Sequence, residues 1–188
     1  MSEINVRVLG EDDWSEYREV RLLALQESPE SFIASYDDEV AEQEQFWRDR
    51  MNRSDRFLAE RDGQAVGIVS LGVHSEEDQI GDVFGLYVVP EGRNTGVSWN
   101  LVKAVATKAA EKGHRQLYYW AGSENGRAIA FAVNFGFRPT GDRRPTRVAN
   151  NEEFGEEEVA MVLSLQSDPG ATPNPTSFKP TGSSGPNR

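Results

Sequence analysis

Residues 82–89 read D-V-F-G-L-Y-V-V, a nearly unbroken apolar run, and Pro90 ends it. Beyond that proline the period changes. Leu101, Val102, Val105, Ala109 and Ala110 recur every three to four residues, while Lys103, Thr107, Lys108, Glu111 and Lys112 fill the other face. The first pattern fits a buried strand and the second an amphipathic helix, which Gly113 stops. Only a sharp turn fits between them, so the helix must pack back onto the sheet that holds the strand, an α/β arrangement. The turn residues Arg93, Asn94, Thr95, Gly96, Val97 and Ser98 gather unpaired N–H groups at the positive end of a helix dipole. That makes a cradle for a phosphate or pyrophosphate, and Gly96 lets the backbone approach a ligand with no Cβ in the way. The same residues also suit an ordinary strand-to-helix connection, and this window alone does not choose.

The rest of the chain supplies the other layers. Ile4 to Leu9 alternates with period two, and Asp12 and Asp13 then offer an N-cap to a helix carrying Trp14, Tyr17, Val20, Leu23 and Leu25 up to Ser28-Pro29. A more polar helix is expected over 36–51, with Val40, Phe46, Trp47 and Met51 as apolar stations. Two strands, 56–60 and 64–73, are joined by Asp62-Gly63, a strong hairpin signal. Leu117 to Trp120 reads as a buried strand, Asn125 to Asn134 as a helix closing at Gly136, Phe137 as the start of a strand, and Val159 to Leu165 as the last one. The final residues, 166–188, are rich in Pro, Gly, Ser and Thr with Phe178 as the one large apolar side chain, a composition expected to stay disordered.

Composition removes several functions. Acids outnumber bases 31 to 20, for a net charge of −11, which argues against a broad nucleic-acid surface. A local anion site built from amides is unaffected. There is no Cys, excluding a disulfide scaffold, a thiolate metal site and a thiol nucleophile. With His at 74 and 114 alone, no metal is expected. No window supplies the roughly 18–20 apolar residues of a membrane helix, and the first ten residues lack a signal-peptide pattern. The expectation is a cytoplasmic protein without nucleic-acid or membrane partners, as a monomer or homodimer.

Two segments together resemble the GNAT superfamily of acyl-CoA-dependent N-acetyltransferases. The first is Val88-Val89-Pro90 followed by Arg93-x-x-Gly96-x-Ser98, similar to the family's acetyl-CoA motif. The second is N-G-R-A-I-A-F-A-V-N-F-G-F, Asn125 to Phe137; Arg21 to Phe32 is also similar to the first helix and acceptor-side loop of many bacterial members. The resemblance implies an α/β (α+β) fold with a mixed, mostly antiparallel sheet of about 6–7 strands and about 4 flanking helices. The sheet would splay between the 82–89 and 117–121 strands, with Gly85 as the place for a bulge. Residues 1–165 would form the domain and 166–188 its tail. Acetyl-CoA would be the co-substrate, its pyrophosphate on Arg93 to Ser98 and its pantetheine arm along Leu86, Tyr87 and Val88. Asn125, Ala128 and Phe131 match positions that contact pantetheine and the sulfur end; they also suit a helix cap and core.

Two departures stand out: Ser98 replaces a Gly or Ala, and Ala132 stands where the family usually has the Tyr that reprotonates the CoA thiolate. Water, Tyr87, Tyr118 or Tyr119 is left to serve as acid, or the chain binds acyl-CoA with little turnover. Direct transfer to a primary amine of a small, possibly cationic molecule is the expected activity, with a protein N-terminus as the alternative acceptor. The resemblance implies the backbone N–H of Val88 as oxyanion donor and Asp82 as candidate base, ahead of His74 and Glu124; a solvated carboxylate is the competing reading of Asp82. His114 reads as a cation at a helix C-terminus. Phe32, Ile33, Tyr36 and Trp120 would wall the acceptor slot. Acids at 152, 153 and 156–158 would form a rim attracting a cation, or a solvated loop.

Overall fold

A computed structural model describes residues 2–146 and 156–165. In chain order the elements are β1 (Ile4–Leu9), α1 (Trp14–Glu27), α2 (Tyr36–Val40), α3 (Glu44–Arg53), β2 (Asp55–Arg61), β3 (Gln64–Ser75), β4 (Ile80–Val88), α4 (Val97–Glu111), β5 (Gln116–Gly122), α5 (Gly126–Phe135), β6 (Arg138–Pro145) and β7 (Glu157–Ser164). The seven strands form one sheet in the order β1-β2-β3-β4-β5-β7-β6. Every neighbouring pair is antiparallel except β4 with β5. The tail at 166–188, and Glu152 and Glu153 of the expected acidic rim, lie outside the described residues.

Strand alternation sends side chains into two layers. Phe57, Val69, Val83, Leu117 and Met161 meet Val97, Leu101, Val105, Ala132 and Phe135 from α4 and α5. On the other face Leu58, Ile68 and Tyr87 meet Tyr17, Leu25, Trp47 and Met51 from α1 and α3. Each fully buried side chain of this size contributes about 1.5–3 kcal/mol, so both layers hold the sheet. Between β2 and β3 the chain reverses at Asp62 and Gly63, both at positive φ (53° and 75°), as a two-residue hairpin turn requires.

Where one helix is expected over 36–51 there are two, so five α-helices rather than about four flank the sheet among the described residues. Ser35 caps α2 by accepting from the Asp38 N–H at 3.2 Å, and extended backbone at Gln43 starts α3 on a new axis. No Pro or Gly marks the break in the sequence. The cause is tertiary: Glu39 is drawn into the protein by Arg21, while Trp47 and Met51 must face the sheet.

Candidate active site

β4 and β5 pair only from Ile80–Gln116 to Val83–Tyr119 and then part. The sheet therefore opens a V beyond Val83, at the expected place. On its other side β4 stays paired with β3, but with one extra residue: Ser70 pairs with Phe84 and Ile68 with Tyr87. Gly85, at φ +63°, sits inside this bulge, a backbone conformation that a residue with a Cβ adopts at a cost. The extra residue exchanges the faces. Phe84 shares a face with Asp82, whereas Leu86 and Val88 turn toward the α4–α5 layer and Tyr87 toward α1.

Successive strand residues turn their N–H groups to opposite edges. The Val89 N–H donates to the Val66 carbonyl on β3 at 3.0 Å, so the Val88 N–H faces the open V. Leu86, two residues earlier, presents its backbone to the same edge. Tyr87 turns its backbone to β3, and its buried hydroxyl feels the Glu27 carboxylate without a hydrogen bond of ordinary geometry. Burial, and then that neighbouring charge, push its pKa up to about 12. Of the three residues expected along the pantetheine arm, Leu86 and Val88 face the slot and Tyr87 does not.

The turn after β4 has the expected shape. Asn94 and Gly96 adopt positive φ (60° and 91°), and Gly96 is the N-cap of α4. The N–H groups of Val97, Ser98 and Trp99 in the first helical turn thus have no carbonyl one turn back. Thr95 is anchored by the Arg61 guanidinium at 3.0 Å. Arg93 is engaged within the protein: its Nε donates to the Val88 carbonyl at 3.1 Å and its Nη2 to Glu27 at 2.7 Å. It ties the turn to β4 and to the end of α1. An open strand edge, a cradle of amides and a half-buried Ser98 fit a pantetheine arm followed by a pyrophosphate.

On the α5 side, the Asn125 side chain caps the helix by accepting from the Ala128 N–H at 3.1 Å. Ala128 and Phe131 are half-buried, and Phe131 packs against Phe135. Ala132 is 0% exposed within the α4–α5 core. Among the candidate acids, Tyr118 stacks on His74 at 4.6 Å on the opposite face. Tyr119, the last β5 residue paired with β4, points into the α4–α5 layer beside Phe137. Its hydroxyl pKa is raised by burial, so it is a neutral phenol.

The opposite face gathers Asp82, Phe84, His74, Tyr118 and Trp120. Asp82 lies beside Tyr118 in register. Its Oδ1 is buried without a hydrogen-bond partner among the described residues. Burial pushes its pKa up to about 6; Arg144 opposes that rise and Glu158 adds to it. Solvated-carboxylate behaviour is therefore not what this residue shows. His74 is exposed and Glu124 is exposed at a turn. Burial and then Lys112 lower the His114 pKa, against the neighbouring Asp55, and its ring lies 3.3 Å from where a Cβ on Gly81 would be.

Of the acceptor-wall residues, Phe32 stacks on the Arg21 guanidinium at 4.9 Å, and Tyr36 packs with the α1–α3 layer. Trp120 lies against His74 and under Arg144, at 4.1 Å from its ring. Phe32 and Trp120 thus belong to two separate walls. Phe84, Arg56 and Arg144 complete this face and were not singled out in the sequence. A basic residue in an apolar strand, Arg56 within R-F-L-A-E, was the one signal available.

The comparisons agree with this geometry. The model of the Acetyltransferase (GNAT) family matches residues 11–137. An uncharacterized N-acetyltransferase of Archaeoglobus fulgidus is 32% identical over 79 residues, 40% of this chain and 54% of that relative; the match spans about half the relative's length. A GNAT acetyltransferase structure from Streptococcus pneumoniae superposes with TM-score 0.71 at 20% identity, covering 87% of this chain and 100% of that one. A Salmonella typhimurium structure with its cofactor acetyl-CoA gives 0.65 at 17% identity, covering 91% and 98%. With a parted β4–β5 pair, a glycine-started α4 and a family match over more than half its length, this chain belongs to the GNAT family of acetyltransferases.

Proposed function

We propose that the protein transfers an acetyl group from acetyl-CoA directly to a primary amine of a small molecule. The observation that carries this reading is the open β4 edge ending in the amide cradle, with a buried carboxylate on the far side of the same strand. Acetyl-CoA supplies an acetyl thioester at the V. The Val88 N–H, facing that slot, donates to the carbonyl oxygen as negative charge develops on it. Leu86 and Val88 hold the arm as an added strand, and Val97 and Ser98 receive the pyrophosphate.

An amine reaches the slot from the opposite face, where Asp82 takes its proton. A carboxylate titrating near 6 is matched to that task at neutral pH. The departing thiolate needs a proton on the cofactor side. Tyr119 is the tyrosine on that side at the apex of the V, and we assign it the role left vacant by Ala132. Together Asp82 and Tyr119 favour turnover over mere acyl-CoA binding.

The test is thiol release from acetyl-CoA over a panel of amines. Amine-dependent release is the expected result; acetyl-CoA binding with no release for any amine, peptide N-termini included, overturns the reading.

A further inference from the structure

We propose that the acceptor amine also carries a carboxylate and that Arg56 receives it, an inference that rests on the acetyl-transfer reading above. Arg56 is 5% exposed, deep for a guanidinium. Its Nη1 donates to Ser70 Oγ at 2.7 Å and its Nη2 to the Arg50 carbonyl at 3.1 Å near the end of α3. Its Nε is buried with no partner among the described residues, and no carboxylate there forms an ion pair with it. Burial and then the charges of Arg50, Arg21 and Arg53 disfavour its charged form, and the Tyr17 hydroxyl is the one group there that favours it. Glu39 is already shared by Arg21 at 3.0 Å and Arg50 at 2.7 Å. Two aromatic rings, Tyr17 at 5.3 Å and Phe84 at 5.4 Å, are its other company. A buried charge without a counter-ion is unfavourable, and an incoming anion relieves it.

Its place ties that vacancy to the acceptor. Arg56, Ser70 and Phe84 are opposite one another on β2, β3 and β4, on the face that holds Asp82. Asp82 is two residues from Phe84 along β4 and two strands from Arg56, about 6.6 Å along and about 9.6 Å across the sheet between backbones. The Arg56 side chain spans part of that gap by reaching Ser70 on β3, so a small molecule can bring its amine to Asp82 and its anion to Arg56. Phe84, 37% exposed, packs beside the guanidinium and offers apolar contact to the rest of the molecule. Two of the described acids expected to attract a cation are already paired, Glu157 with Arg143 and Glu158 with Arg144 at 2.9 and 2.7 Å. An amino acid with an apolar side chain has the chemistry this face asks for.

The experiment measures thiol release with a set of amino acids, each beside its amide and its decarboxylated amine, and follows thermal stabilisation of the acetyl-CoA-bound protein by the same compounds. For at least one amino acid, kcat/KM is expected to exceed that of its amide and amine by tenfold or more, through KM. Arg56→Met should bring that ratio to about one and abolish stabilisation by the amino acid, with partial retention in Arg56→Lys. Amides or decarboxylated amines used as well as the acids, or a preference that survives in Arg56→Met, would overturn the inference while acetyl transfer stands. Release from none of these compounds overturns the inference, and transfer itself falls only if the wider amine panel, peptide N-termini included, is silent as well. The wild-type comparison decides even if Arg56→Met does not fold.

Discussion

The guanidinium of Arg21 on α1 holds both carboxylate oxygens of Glu39 on α2, each at 3.0 Å. Arg50 of α3 approaches the same carboxylate at 2.7 Å, so one buried acid joins three helices above the sheet. Burial raises the Glu39 pKa, but the hydrogen bond and charge of Arg21, with those of Arg50, outweigh it and hold the group below its usual value.

Glu39→Ala leaves two cations facing each other in a buried site and is expected to cost about 3–5 kcal/mol of stability, measured by urea unfolding. In the parent protein, this carboxylate's contribution is complete above its unfolded pKa, about 4.3. It is lost as pH falls through the lower folded value, so the difference between parent and variant should shrink in acid.

Asp82 should govern activity and stability in opposite senses. The acid limb of kcat/KM is expected near pH 6, and Asp82→Asn should lower kcat/KM by about 10²- to 10⁴-fold and remove the limb. Because the folded pKa lies above the unfolded one, the carboxyl favours folding when protonated, and that advantage disappears as pH rises through about 6. The variant should therefore be more stable than the parent at pH 7–8, by at most about 3 kcal/mol at 1.4 kcal/mol per pKa unit. Paired pH profiles and thermal melts check both halves.

Restoring a tyrosine at 132 should not restore an acid. The Ala132 methyl is fully buried among α4 and α5 side chains, and a phenol there overpacks the core by about 1–3 kcal/mol. Tyr119→Phe, in contrast, should lower kcat by roughly 10²-fold while leaving the melting temperature nearly unchanged. An unchanged kcat in a thiol-release assay would remove Tyr119 from the reaction.

Gly96 carries φ +91° with room for a Cβ, the nearest atoms being Asn100 Nδ2 at 3.8 Å and Ile4 Cδ1 at 3.9 Å. Gly96→Ala thus acts through backbone strain of about 1–2 kcal/mol rather than a clash. A distorted cradle should raise the KM for acetyl-CoA roughly threefold to tenfold with kcat little changed, read from saturation curves.

Legibility in the sequence followed locality. The Asp62-Gly63 hairpin, Pro90 and Gly96 each impose a backbone conformation on their own few residues, so β2, β3, β4 and α4 lay within a few residues of where they were expected. Gly85 was expected at the bulge because the resemblance implies a bulge in this strand, and the structure has one there. Arg93 was legible as a turn residue but not as a brace, because its partner Glu27 is 66 residues away. The break at 41–43 had no local marker, since a buried ion pair with α1 and α3 produces it. The burial of His114 beside Gly81, which lowers its pKa, was not legible from its place after α4.

The sequence by itself located most of the strands and helices, marked the 93–98 turn as a candidate anion cradle, and excluded a cysteine thiol of the protein from the reaction. Periodicity, glycine and proline act over a few bonds, so these features need no knowledge of the rest of the chain. Only the tertiary structure decided how far β4 and β5 run together, that Val88 and Leu86 but not Tyr87 face the slot, and that burial pushes the Asp82 pKa up to about 6. It also decided that Arg56 lies buried without an acid. Desolvation and charge pairing depend on groups from β2, β3, β4 and α3 meeting in one place, and no stretch of sequence contains that meeting.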